Sequence, residues 1–205
     1  MELLKAASIL SALVPLAAGY RNRKALLWYY PLAALSVDCL TLYLKHVAHL
    51  PFAWITNYYL VAEFLILCFV FRPVLAVRHR LFYFFIGAAL LFFTITALPQ
   101  NARSFNQAGA SLFSFSYIAM GIAGLYLILR QQQILYLEKS WFFWLNTALI
   151  LYASGNFLIF LFSDLRYRET GLFLDLWQIF QVLNITKNIL LSPALYFYES
   201  GRRTR

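Results

Sequence analysis

Seven apolar runs, each long enough to cross a lipid bilayer as a helix, occupy almost the whole chain and leave only short connectors between them. They cover roughly Leu3 to Tyr20, Leu26 to Val47, Phe52 to Phe71, Leu81 to Leu98, Phe105 to Leu129, Trp141 to Phe162 and Leu172 to Phe197. A spanning helix needs about 20 mostly apolar residues at a rise of about 1.5 Å each, and inside hydrocarbon every backbone N–H and C=O must be bonded within the protein. This pattern predicts an all-α polytopic membrane protein, a single bundle of seven transmembrane helices spanning residues 1–205 with a short basic tail at 199–205. No stretch between the runs is long enough for a soluble domain.

Composition agrees with that reading. Hydrophobic residues make up 62% of the chain and charged residues 12%, a balance that a soluble domain of this length has no use for. The formal charge of +9 would be consistent with nucleic-acid binding if it formed a patch, but the bases fall in short clusters between the apolar runs, so no nucleic acid is expected. They read instead as topology signals. Arg21, Arg23, Lys24, Arg72, Arg78, Arg80, Arg130, Lys139, Arg202, Arg203 and Arg205 fall on one side; Lys5, Lys45, Arg103, Arg166 and Arg168 fall on the other. The richer side is the cytoplasmic one, which predicts a multi-pass protein of the inner or plasma membrane with its amino terminus outside and its carboxyl terminus in the cytoplasm. The first run has the short apolar core of a secretory leader, but little positive charge precedes it. Cleavage near Gly19 would leave three basic residues outside, so it is read as a retained helix.

The last run carries a lysine where lipid permits none. Lys187 lies about ten residues before Phe197, and Glu63 in the third run about nine before Arg72, so both sit on the order of 14 Å deep. Intramembrane ionisable groups face the bundle interior and mark functional sites more often than other residues do. At equal depth the two charges can pair, which offsets the cost of burying either one. Trp177, Gln181, Asn184 and Asn188 follow at helical spacing and form a polar stripe beside Lys187, and a stripe of amides reads first as glue between helices. In the third run Thr56, Tyr59 and Glu63 share a face; in the sixth, Asn146, Tyr152 or Ala153, and Asn156 do so. The candidate site assembled from these runs is Asp38, Tyr59, Glu63, Asn156, Gln181, Asn184 and Lys187, as a ligand-binding or switch cluster set against a sealed hydrogen-bond network. Gly121 and Gly124 offer a close-approach surface in the fifth run.

Other chemistry is poorly represented. Metal-protease, nucleophile-elbow and phosphate-loop motifs are absent, and Cys39 and Cys68 lack metal-ligand spacing. His46 and His49 with Asp38 make a remote metal candidate at the outer surface, and no metal site is expected. No catalytic residues are assigned.

A lysine in the last of seven helices and a glutamate in the third resemble the arrangement in microbial rhodopsins, where the lysine binds retinal. Leu183, however, stands where that family has a polar residue, and the sixth run lacks its aromatic and proline pattern, so retinal is disfavoured and no cofactor is expected. The segments Trp54 to Leu67 (WITNYYLVAEFLIL), Trp141 to Leu165 (WFFWLNTALILYASGNFLIFLFSDL) and Leu176 to Tyr198 (LWQIFQVLNITKNILLSPALYFY) resemble small uncharacterised bacterial seven-helix membrane proteins. Similar units accompany sensor histidine kinases or are fused to them. The resemblance implies a receptor-like or sensory membrane module that responds to a small or lipid-like ligand or a proton, with membrane lipid and a cytoplasmic signalling protein as partners. The alternatives are a transporter or channel using the same charges, and an intramembrane enzyme acting on lipid.

Overall fold

In the computed structural model, residues 2–75, 79–98, 104–131, 137–162 and 172–198 are described. The tail 199–205, the 163–171 connector and the basic residues Arg78, Arg103, Arg166 and Arg168 lie outside them. The protein is all-α. Its helices are α1 (Glu2–Ser11), α2 (Leu13–Ala18), α3 (Leu26–Tyr43), α4 (Ala53–Leu75), α5 (His79–Ala97), α6 (Gln107–Gln131), α7 (Trp141–Phe162) and α8 (Leu172–Phe197). Each of the seven apolar runs is therefore helical, with the first bent into two pieces. The bend falls at Ala12 because Pro15 has no N–H to offer Ser11 and its ring crowds that carbonyl.

Among the described residues, five spans, from Leu26–Ala48 through Trp141–Leu161, are long and apolar enough to cross a membrane, and Leu3–Ala18 is a shorter apolar helix. Although α8 has 26 residues, its polar stripe lowers its hydropathy. The outward surface is apolar: Phe84 is 75% exposed and Leu129 69%, with Tyr58, Leu91 and Ile122 also largely uncovered. An apolar exterior over a polar interior reverses the soluble pattern and fits lipid as the surrounding solvent. The chain is a multi-pass helical membrane protein.

The helices close a ring. The α1–α2 segment packs on α8, α8 on α7, α7 on α6, α6 on α4 and α5, α4 on α3, and α3 returns to α2. The tightest seam, α6 against α7, depends on glycine as expected. A methyl group on Gly121 would come within 2.6 Å of Ile150 Cγ1, and one on Gly124 would overlap the Asn146 amide. A ring stack ties the next three helices together, with Phe64 on α4 against Phe113 on α6 at 4.4 Å and Phe113 against Phe93 on α5 at 5.1 Å.

Asn106 organises the start of α6. Its Oδ1 accepts from the Gly109 N–H in the N-cap manner, while its Nδ2 donates to Phe93 O and Thr96 Oγ1, each at 3.0 Å. Asn57 on α4 accepts from the Asn106 N–H and donates to Ser104 O, fixing this corner over the start of α4. The end of α3 widens into a π-helical turn at Leu44–Ala48, and His49 closes it in the left-handed region at φ 51°. Between the α3–α4 pair and the α7–α8 pair, backbone contact is sparse among the described residues, which leaves a gap between them.

Candidate functional site

At the centre of the gap three side chains form a relay. Glu63 on α4 and Lys187 on α8 are both buried, at 1% and 3% exposure. Tyr30 on α3 lies between them. Its hydroxyl donates to Glu63 Oε1 at 2.8 Å, and its ring lies under the Lys187 ammonium, 5.2 Å from Nζ to the centroid. Tyr152 on α7 presents a second ring to the same ammonium at 4.3 Å. Aromatic faces replace part of the water an ammonium loses, worth about 2 kcal/mol or more for a desolvated cation. Tyr30 thus serves both charges, offering its electron-rich face to one and its O–H to the other. The Tyr59 hydroxyl, one turn before Glu63, engages the same carboxyl group.

The remaining charges extend this relay. Among the described residues, Asp38 on α3 and Glu63 are the carboxylates within electrostatic reach of Lys187, and Asp38 also feels Lys5 on α1. Lys187 therefore feels a carboxylate from α3 and another from α4, and Asp38 feels a second lysine from α1, so opposite charges face one another across the interior.

Two cavities adjoin the relay. The first, about 460 Å³, lies among α4, α6, α7 and α8, with Glu63, Ser114, Tyr117 and Asn156 among its polar lining. The second, about 430 Å³, lies among α1, α3, α4, α7 and α8 and reaches Lys5, Asp38, Lys45, Gln181, Asn184 and Lys187. Tyr59, Tyr152 and Phe180 line both, so the cavities share a wall built largely of aromatic side chains. Volumes of this size fall in the range of small-molecule sites, roughly 300–1,000 Å³.

All seven residues named from sequence line these cavities, but they do not form one compact spot. Glu63 and Asn156 belong to the first; Asp38, Gln181, Asn184 and Lys187 belong to the second; Tyr59 faces both. Part of the polar stripe on α8 works as glue. Asn184 Nδ2 donates to Ser8 Oγ and Asn188 Nδ2 to Ser11 Oγ, both at 2.8 Å, holding α1 against α8. Asn22 adds a bond from its Nδ2 to Leu195 O at 2.8 Å, near the opposite end of α8. Asn146 stays out of the site: its amide donates back to Phe142 O and packs on Gly124.

Three residues escaped the sequence reading. Tyr30 and Tyr117 carried no signal, since a tyrosine in an aromatic-rich apolar run looks like any lipid-facing or interfacial ring. Ser8 did carry one: Ser8 and Ser11 stand three apart and the amides they meet four apart, both spacings that keep a pair on one helical face.

No protein-family model, curated protein or solved structure matches this chain. What the fold and the site define is a class, a polytopic helical membrane protein with a buried charge relay flanked by two cavities.

Proposed function

We propose that this chain is a receptor-like sensory module, a bundle of seven transmembrane helices in which occupancy of an interior cavity is read out as a change in helix packing. The observation that carries this reading is the Glu63–Tyr30–Lys187 relay, which ties α4, α3 and α8 together where the two cavities adjoin. A ligand or proton that displaces one member leaves another unanswered at low dielectric, which biases the helices towards a second arrangement. The amino terminus lies outside and the carboxyl terminus inside. The basic tail, Arg202, Arg203 and Arg205, meets a cytoplasmic signalling partner or anionic headgroups. The resemblance to small bacterial proteins that accompany sensor kinases supports the same reading.

The shape of the interior favours a receptor over a conduit. The cavities are lined by α1, the first half of α4 and α6, the later part of α3, the second half of α7 and α8 as far as Lys187, which lie towards one face of the bundle. Towards the other face Phe71, Phe142, Leu145, Leu191 and Leu195 are packed into the core.

The test is a distance measurement between spin labels at Phe69→Cys and Tyr196→Cys, with Cys39 and Cys68 replaced, in lipid nanodiscs. Lys187→Met is expected to redistribute the α4–α8 distances relative to the wild-type interior. Identical distributions would overturn the switch, and a proton or ion flux through proteoliposomes that Lys187→Met abolishes would favour a transporter. Impermeant thiol labelling of Asn101→Cys but not Thr204→Cys in whole cells checks the orientation.

A further inference from the structure

The first cavity contains two buried polar groups that nothing among the described residues answers. The Tyr117 hydroxyl on α6 and the Asn156 Oδ1 on α7 have no hydrogen-bond partner, and both residues are 2% exposed. Two other orphans, Asn146 Oδ1 and Asn188 Oδ1, belong to side chains seated in helix–helix seams, whereas Tyr117 and Asn156 line open space. An unmet polar group away from water costs roughly 1–3 kcal/mol, so an empty cavity would leave both penalties standing.

The arrangement of the walls narrows what answers them. Glu63 and Tyr117 lie about ten residues inside the ends of α4 and α6, roughly 15 Å down, and Asn156 and Ser114 keep them company. The lining as a whole is mostly apolar, and towards the helix ends Phe52, Phe105, Leu176 and Trp177 stand beside Ser104 and Gln107. A long apolar body with a small polar head beside Tyr117 and Asn156 fits this mostly apolar lining.

The chemistry of the head follows from the two orphans. Tyr117 has an O–H to give and Asn156 Oδ1 a lone pair to fill, so a head that both accepts and donates answers the two groups in full. A carboxylate accepts but does not donate, and it would face Glu63. An ammonium, though drawn to Glu63, donates only and leaves the Tyr117 proton unused, and Lys187 stands just beyond the shared Tyr152 wall. A neutral hydroxyl does both.

We infer that the first cavity binds a neutral single-headed amphiphile, an alcohol with an extended apolar body, whose hydroxyl takes the Tyr117 proton in a hydrogen bond and donates to Asn156. This gives a ligand class to the sensory reading and rests on it for its biological meaning, but its test requires no conformational readout. The purified full chain in lipid nanodiscs is titrated with 1-dodecanol, dodecanoate and dodecylamine, probes with one chain and three heads, and thermal unfolding is followed.

Dodecanol is expected to raise the unfolding midpoint at concentrations where the other two do not. Tyr117→Phe should shift the dodecanol titration three- to tenfold to higher concentration, the worth of one hydrogen bond. Its midpoint without probe should not fall below that of the wild type, because the hydroxyl removed had no partner. Asn188→Leu, in a helix seam outside this cavity, should leave the titration where it is. The inference is overturned by equal response to all three heads, by preference for a charged head, by no response at all, or by a Tyr117→Phe chain destabilised before any probe is added. The sensory reading fails separately, on unchanged α4–α8 distances in Lys187→Met.

Discussion

Replacing Tyr30 by phenylalanine removes a single oxygen from the relay and leaves the ring in place. The lost contact is the 2.8 Å bond to Glu63 Oε1. A hydrogen bond to a charged group contributes about 1.5–3 kcal/mol, against about 0.5–1.5 for a neutral pair. Since the Tyr59 hydroxyl still engages the same carboxyl group, the cost of Tyr30→Phe belongs at the lower end, about 1.5 kcal/mol. Tyr30→Leu also strips the ring from beneath the Lys187 ammonium, adding about 2 kcal/mol from the cation–aromatic contact and the lost packing. In a Glu63→Gln background the acceptor persists without its charge, and the effect of Tyr30→Phe should shrink to about 0.5–1 kcal/mol. Reversible unfolding in mixed micelles, titrated with a denaturing detergent, measures all four variants on one scale. The reasoning fails if Tyr30→Phe matches the wild type within about 0.3 kcal/mol, or if it costs as much as Tyr30→Leu, which would reduce Tyr30 to a packing residue.

Other consequences are tested by the same unfolding measurement. Gly124→Ala should destabilise by about 1–3 kcal/mol because its methyl group would meet the Asn146 amide, whereas Gly87→Ala, with open space around it, should be neutral or gain up to about 1 kcal/mol from helix propensity. A double-mutant cycle between Asn188→Ala and Ser11→Ala should return a coupling of about 0.6 kcal/mol, the usual size of a hydrogen bond between membrane helices; zero coupling would detach α1 from α8. Asn106→Ala, which loses an N-cap bond and two further donated bonds at a fully buried position, should cost about 2–3 kcal/mol and loosen the start of α6 in hydrogen exchange, with Asn106→Asp recovering the cap alone.

The helices were legible in the amino-acid sequence because lipid leaves a chain little choice. Runs of apolar residues near 20 long must satisfy their backbone internally, so length and hydropathy alone place α3 through α7. The same constraint singles out Lys187 and Glu63, since a charge at that depth must face inward whatever the neighbours are. Helical spacing likewise marked the amides of α8 as one stripe, and the glycines of α6 as a seam. Only the tertiary structure decided what those inward groups meet. Tyr30 and Tyr117 became polar residues of the interior through the rotation and pairing of their helices, which hydropathy does not encode because the outer faces of all these helices meet the same featureless solvent. The division of the interior into two cavities, one walled by α1 and α3 and the other by α6, depends on which helices close the ring. Burial in a membrane is dictated by composition, but the partner of each buried group is set by packing, where small residues and shape choose neighbours that the hydrophobic effect leaves equivalent.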